Sequence, residues 1–147
     1  MPGERESVAR WVSVLHRQFQ IYLNRELRDC DIQSSEYIFL VNLYDKDGIS
    51  QERLSSNLFI DKAATARALQ RLEKLGYVKR ARDPADSRAY VVTLTERGRE
   101  IRDFIKSKLR YWTDLLTGEF TDEEHSDLLN KLKRMSVLAI GETKGDD

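Results

Sequence analysis

Residues 50–98 read SQERLSSNLFIDKAATARALQRLEKLGYVKRARDPADSRAYVVTLTERG, and the local signals in this stretch decide the fold. Ser50 is a good N-cap for a short helix over Gln51 to Asn57, with Leu54 and Leu58 turned inward. Asp61 caps a second helix, Lys62 to Leu75, which buries Ala66, Leu69, Leu72 and Ala63 while Lys62, Thr65, Arg67, Gln70, Arg71 and Lys74 occupy other faces. Gly76 supplies the left-handed residue that ends it. Tyr77 to Arg82 and Ala89 to Leu94 then have strand character, the second rich in β-branched and aromatic residues. Pro84 presets a turn after Asp83, so the two strands close into an antiparallel hairpin with an arginine-bearing tip.

Working outward, Val8, Trp11, Val12, Leu15, Phe19, Tyr22, Leu23 and Leu27 recur at three- and four-residue spacing, one apolar helical stripe. A helix of about 24 residues rises about 36 Å, more than a small core covers, so part of the stripe needs another partner. Ser34 or Ser35 can cap a further helix carrying Tyr37, Ile38, Leu40, Val41 and Leu43, which Asp47-Gly48 ends. Ile49 begins a short extended link into Ser50. Thr95 is placed to cap a long helix marked by Ile101, Phe104, Ile105, Leu109, Trp112, Leu115 and Leu116. Thr121-Asp122-Glu123-Glu124 matches a capping box, opening a last helix with Leu128, Leu129, Leu132, Met135, Leu138 and Ala139, and a polar tail follows Gly141. The expected class is mainly α with a small β-hairpin (α+β), a winged helix-turn-helix between terminal helices.

Charge agrees with a DNA-gripping device. The chain of 147 residues has 25 Lys and Arg against 25 Asp and Glu, yet the total hides a segregation. Asp61 to Arg99 holds ten basic residues against five acidic ones, and phosphate attraction follows local density rather than the sum. With 40% hydrophobic content the chain can bury one core. No run approaches the roughly 18 apolar residues of a membrane span, and Met1-Pro2-Gly3-Glu4-Arg5-Glu6 lacks the apolar stretch of a signal peptide, so a cytoplasmic protein without membrane contact is expected. A single cysteine, Cys30, excludes an internal disulfide and a cysteine-rich zinc site.

Three segments together resemble the MarR family of transcriptional regulators. They are Asp61 to Val78 with its Leu72-Glu73-Lys74-Leu75-Gly76 ending, the wing Asp83-Pro84-Ala85-Asp86-Ser87-Arg88, and Leu94-Thr95-Glu96-Arg97-Gly98. The family places a recognition helix ending in Leu-Glu-x-x-Gly, a wing with Asp-x-Arg and a Leu-Thr-x-x-Gly lead-in in this order, and the likeness covers about residues 5 to 140. The resemblance implies a homodimer whose terminal helices interlock. It assigns 1–32 to an N-terminal dimerisation helix, 33–98 to the DNA-binding region, 99–141 to C-terminal dimerisation helices and 142–147 to a polar tail, all within one intertwined domain. The implied partner is double-stranded DNA with a pseudo-palindromic operator, and the implied role is a repressor.

In a helix-turn-helix the second helix presents side chains to base edges in the major groove. Lys62, Ala64, Thr65 and Arg67 are the candidate base readers, and Arg71 lies nearer a phosphate. Arg67 can hold guanine O6 and N7, and Thr65 or Ala64 can touch a thymine methyl. Ser50 can hold a phosphate at the amino end of its helix, or serve only as its cap. In the wing, the resemblance puts Arg88 in the minor groove, where narrow A·T-rich DNA concentrates negative potential. Asp86 orients Arg88 or another arginine through a charge-assisted hydrogen bond. Arg80 and Arg82 alternate onto one face of the rising strand, where Arg82 is the stronger phosphate candidate and solvent is the other destination.

Family members commonly release DNA when a small phenolic or carboxylate compound enters a cleft beside the winged region. Such an aromatic or anionic effector needs a cation and aromatic walls, for which Arg17, Tyr37 and Tyr111 are candidates; a surface ion pair and packed tyrosines explain the same residues. Some members switch by thiol oxidation near the beginning of the first helix. Cys30 lies at its end between Asp29 and Asp31, whose charges disfavour a thiolate. His16 and His125 are isolated, and no catalytic triad, phosphate-binding glycine loop or metal-ligand spacing occurs, so no enzyme activity, cofactor or metal is expected. A protein-interaction module without DNA binding is the alternative, and the retained Arg67, Arg71 and Arg88 argue against it.

Overall fold

The computed structural model describes residues 6–144, and the chain divides at Lys108/Leu109 into two compact units. In the first unit, α1 (Val8–Glu26) is followed by a single 3-10 turn (Arg28–Cys30), α2 (Tyr37–Asp45), β1 (Ile49–Ser50), α3 (Gln51–Leu58) and α4 (Lys62–Lys74). The strands β2 (Val78–Arg82) and β3 (Tyr90–Leu94) and the short α5 (Glu96–Glu100) come next, and α6 (Arg102–Thr117) leads out of this unit. In the second unit, α7 (Asp122–Thr143) follows the end of α6.

The helix α1 has 19 residues, shorter than the apolar stripe suggests: it ends at Leu27, and the 3-10 turn that follows is closed by Asp31 with a left-handed backbone (φ 59°). Its C-terminal half is anchored: Leu23 and Leu27 are fully buried, and the Tyr22 hydroxyl donates to the Lys108 carbonyl at 2.8 Å. Its N-terminal half leaves Val8, Trp11, Val12 and Leu15 about half exposed in the single chain. Neither Ser34 nor Ser35 caps α2. Glu36 holds the N-cap position instead, and its carboxylate accepts from the Gln33 N–H at 2.8 Å, while the Ser34 N–H is taken by Asn24 Oδ1.

The extended link at Ile49 is a strand. It pairs antiparallel with β3 (Ile49↔Val92, Ser50↔Val91), so the expected hairpin becomes a three-stranded sheet of order β1-β3-β2. Register within the hairpin runs from Val78↔Leu94 to Arg82↔Tyr90. Asp47 Oδ1 accepts from the Leu94 N–H at 2.9 Å and so ties the end of α2 to the sheet.

The helix-turn-helix packs on this sheet through Leu54, Leu69 and Leu72, all fully buried, each contributing about 1.5 to 3 kcal/mol relative to exposure. The buried stripe of α4 is Thr65, Ala68, Leu69 and Leu72 rather than one containing Ala63 and Ala66; Ala63 is exposed and Ala66 half-buried. Both caps form as the residues dictate. Ser50 Oγ accepts from Arg53 N–H at 3.0 Å and Asp61 Oδ1 from Ala64 N–H at 2.8 Å.

Thr95 caps only α5, since the helix breaks at Ile101 before α6 resumes. The Thr95 hydroxyl accepts from Gly98 N–H and donates to the Gly76 carbonyl at 2.6 Å, clamping the end of α4 to the start of α5. A Cβ at Gly98 would lie 2.2 Å from the Tyr77 carbonyl oxygen, so this approach admits glycine alone.

In the second unit the Thr121/Glu124 capping box is complete, with both hydrogen bonds at 3.1 Å. The helix α7 runs through Glu142 and Thr143, two residues into the segment expected as tail; residues 145–147 lie outside the described residues. Leu129, Leu132, Met135, Val137 and Leu138 are exposed along it. No helix among the described residues is long and apolar enough to cross a membrane.

Candidate nucleic-acid interface

Capping of α3 and α4 fixes two helix N-termini beside the wing, and the side chains around them form the candidate interface. On α4, Lys62 is 81% exposed and lies 3.6 Å from Glu52 of α3. Arg67 is exposed and Ala64 half-buried. Thr65 corrects the sequence expectation. It is wholly buried, its hydroxyl donating to the Asp61 carbonyl at 2.9 Å, so it lies at the floor of the cleft beside the wing without exposed surface to touch a base. The cause is the N-terminal half of the stripe: Leu69 and Leu72 are buried as expected, but Thr65 and Ala68 take the inward places given to Ala63 and Ala66.

Arg71 is occupied as well. It forms an ion pair with Glu36, a carboxylate only 3% exposed, and this pair joins α4 to the turn before α2. Glu36 carried no sequence signal, because a glutamate ahead of an apolar helix reads as solvated surface.

The wing tip presents Arg88, its side chain 92% exposed. Asp86 Oδ1 accepts from the Arg88 backbone N–H at 3.0 Å and stands 3.7 Å from its Nε, an ion pair in place of the side-chain hydrogen bond expected. Arg82 and Arg80 do share a face: both guanidinium groups lie over the Tyr90 ring, at 4.5 and 5.0 Å. Their fates differ. Arg82 is exposed and donates to the Ser87 carbonyl at 2.8 Å, whereas the Arg80 side chain is 12% exposed, paired with Glu73 at 3.3 Å and bonded to Gln51. Arg80 therefore bolts the wing to α3 and α4 and is withdrawn from phosphate contact. Ser50, half-buried, spends its Oγ as acceptor on the Arg53 N–H and leaves the hydroxyl proton to donate.

Behind α4 lies a cleft of about 630 Å³ between α1, the α1–α2 turn, α2 and α4. Phe19 and Tyr37 meet edge to face in it, ring centroids 5.7 Å apart, and burial pushes the Tyr37 phenol up from its ordinary range. Tyr37 lines the cleft, as a ligand residue would. Arg17 is not among the lining residues and donates to Ser13 Oγ one turn back along α1. Tyr111 belongs to the second unit, where it is exposed. The cations the cleft does present are Arg67 and Arg71. Their spacing, one turn apart on α4, was visible in the sequence, but the neighbour opposite them was not.

Cys30 sits at the end of the 3-10 turn, where burial first and Asp29 second push its thiol up, so it stays protonated near neutral pH. The Tyr77 hydroxyl donates to its carbonyl at 2.7 Å. Among the described residues no cluster of three or more His, Cys, Asp or Glu side chains is arranged to hold a metal ion.

A sequence profile of the MarR family matches residues 31–89, from the turn before α2 through the wing. The crystal structure of a MarR transcriptional regulator from Methanosarcina mazei Go1 superposes with a TM-score of 0.85 and 38% identity, covering 91% of this chain and 96% of that one. The HTH-type transcriptional regulator SarZ of Staphylococcus aureus strain MRSA252 is 31% identical over 109 residues, 73% of this chain and 71% of its own length. The chain belongs to the MarR family. A further relative, the HTH-type transcriptional regulator BilQ of Clostridioides difficile strain CD3, is 29% identical over 127 residues, 86% of each chain. As a MarR-family protein the chain is a DNA-binding transcriptional regulator built on a winged helix-turn-helix.

Proposed function

We propose that the protein acts as a homodimeric repressor on a pseudo-palindromic operator, with the exposed face of α4 in the major groove and Arg88 in the adjacent minor groove. The observation that carries this reading is the wing: Arg88 stands almost fully in solvent while Asp86 fixes its backbone and faces its guanidinium. Ala64 and Arg67 are the side chains of α4 left to read bases, while Lys62, beside Glu52 at the helix N-terminus, is assigned to a phosphate instead of a base. Ser50 and Arg82 serve as phosphate contacts, and Arg71 acts through Glu36. The exposed apolar side chains Val8, Trp11, Val12 and Leu15 of α1 and those along α7 supply dimer contacts, and two-fold symmetry sets half-site centres about 34 to 36 Å apart.

Release by a small aromatic carboxylate would act through the cleft behind α4, which offers aromatic walls and the Arg67 guanidinium, Arg71 being held by Glu36. Such an effector regulates only by binding free and DNA-bound dimers with different affinity. Fluorescence anisotropy on a randomised duplex pool, with salt titration, selects the operator; benzoate is then titrated against the complex. Tight, sequence-selective binding that benzoate weakens supports the whole reading. Weak binding without sequence preference refutes the operator reading, and benzoate binding that leaves DNA affinity unchanged refutes regulation through the cleft.

A further inference from the structure

We infer that Glu52 is a built-in competitor for DNA phosphate: it holds Lys62 in the unbound protein and sets the overall affinity of the interface without contributing to sequence choice. The inference rests on the DNA-binding face proposed above. Between the N-termini of α3 and α4 and the wing lies a cleft of about 380 Å³, lined by Glu52 and Lys62 on the helices and by Asp86 and Arg88 on the wing. Lys62 Nζ stands 3.6 Å from Glu52 Oε1 and Arg88 Nε 3.7 Å from Asp86 Oδ1, so each cation of the cleft is matched by one carboxylate.

The segment from Asp61 to Arg99 is strongly basic, but Glu52 falls outside it and is brought in by the helix-turn-helix. The place where two cations face the incoming backbone is therefore locally neutral. A phosphate can take Lys62 only by displacing the Glu52 carboxylate, or else must approach with that carboxylate still present. Both cost binding free energy at every DNA sequence, because the phosphate charge is the same on all of them. The two carboxylates differ in one respect. Asp86 also accepts the Arg88 backbone N–H and so shapes the wing, whereas among the described residues no hydrogen bond ties the Glu52 side chain, which is 74% exposed, to the fold. Glu52 can be altered with the interface left standing.

The test is Glu52→Gln, binding a short random-sequence duplex by anisotropy from about 50 to about 300 mM salt, with thermal unfolding confirming the fold. Releasing Lys62 for one more phosphate makes the slope of log K against log salt steeper by about 1. Binding tightens about three- to tenfold at the lowest salt, and the two curves converge as salt rises. In a Lys62→Met background the same substitution leaves the slope unchanged. Equal slopes for wild type and Glu52→Gln overturn the inference while the DNA-binding reading stands. So does a steeper slope that persists in the Lys62→Met background, since Glu52 then acts on DNA without Lys62. A wild-type protein that fails to bind DNA under any salt overturns both.

Discussion

At the scale of single residues, the interface separates groups that read from groups that hold. Arg67 is exposed on α4 and faces major-groove base edges in the proposed complex, so Arg67→Ala removes discrimination at one symmetric position, worth about 1 to 3 kcal/mol per contact. Arg88 meets the minor groove, where width and potential matter more than base identity, so Arg88→Ala weakens binding across all operators with little change in preference. A base-substitution panel read with both variants separates them: unchanged discrimination in Arg67→Ala removes that residue as a reader, and altered preference at full affinity contradicts the minor-groove role of Arg88. Phe59 concerns stability. It ends α3 with a left-handed backbone (φ 54°, ψ 39°) and a side chain 63% exposed, a position where glycine escapes the Cβ penalty. Phe59→Gly is expected to stabilise the protein by about 0.5 to 1 kcal/mol, seen as a higher midpoint in thermal unfolding; an equal or lower midpoint shows that the aromatic ring contributes more than the strained backbone costs.

At the scale of elements, the close approach of Gly98 to Tyr77 explains why a glycine stands three residues after Thr95. Gly98→Ala drives a Cβ into a backbone carbonyl, so urea unfolding is expected to show a loss of about 3 kcal/mol or more; a loss below about 1 kcal/mol shows that α5 shifts without strain. The junction of α1 and α6 is pH-sensitive. Lys108 first and Arg25 second hold the Glu26 carboxyl below its usual range. A folded-state value below the unfolded one contributes stability above the ordinary carboxylate range that is lost as pH falls through the folded value. Glu26→Gln is therefore less stable than wild type near neutrality, and the gap narrows as pH falls below the ordinary carboxylate range, measured by urea midpoints across an acid titration; a gap that stays constant with pH assigns the effect to packing. The sequence made these elements legible wherever a local device governs them: Ser50, Asp61, Thr95 and the Thr121/Glu124 box all cap as their types demand. It misled where a distant neighbour decides. Thr65 reads as polar surface but is wholly buried with its hydroxyl on the Asp61 carbonyl, while Arg71 reads as a phosphate contact but meets a buried carboxylate from another element. Periodicity places a helical stripe less securely where, as in the N-terminal half of α4, alanines flank it on both sides.

At the scale of the molecule, the single chain leaves more apolar surface uncovered than its own core requires. Along α7, Val137 and Leu138 are 68% and 75% exposed and Leu129, Leu132 and Met135 each 40% or more, far from the scattered single exposures of an ordinary surface. A second copy covering this helix accounts for them, and the proposed two-fold operator needs the same second copy. Oligomeric state and DNA affinity should then fail together. Placing a carboxylate in an apolar interface costs several kcal/mol unless a partner meets it, so the double variant Leu132→Glu, Leu138→Glu is expected to sediment as a monomer with its helical circular dichroism retained. Each freed protomer grips one half-site alone and loses the effective concentration that linkage supplies, weakening operator binding by about 100-fold or more. Binding to an isolated half-site should be nearly the same for the variant and wild type, because the DNA-reading surface is untouched. A wild-type protein that sediments as a monomer at micromolar concentration refutes the second copy outright. A monomeric variant with full operator affinity refutes the link between dimerisation and two-fold recognition instead.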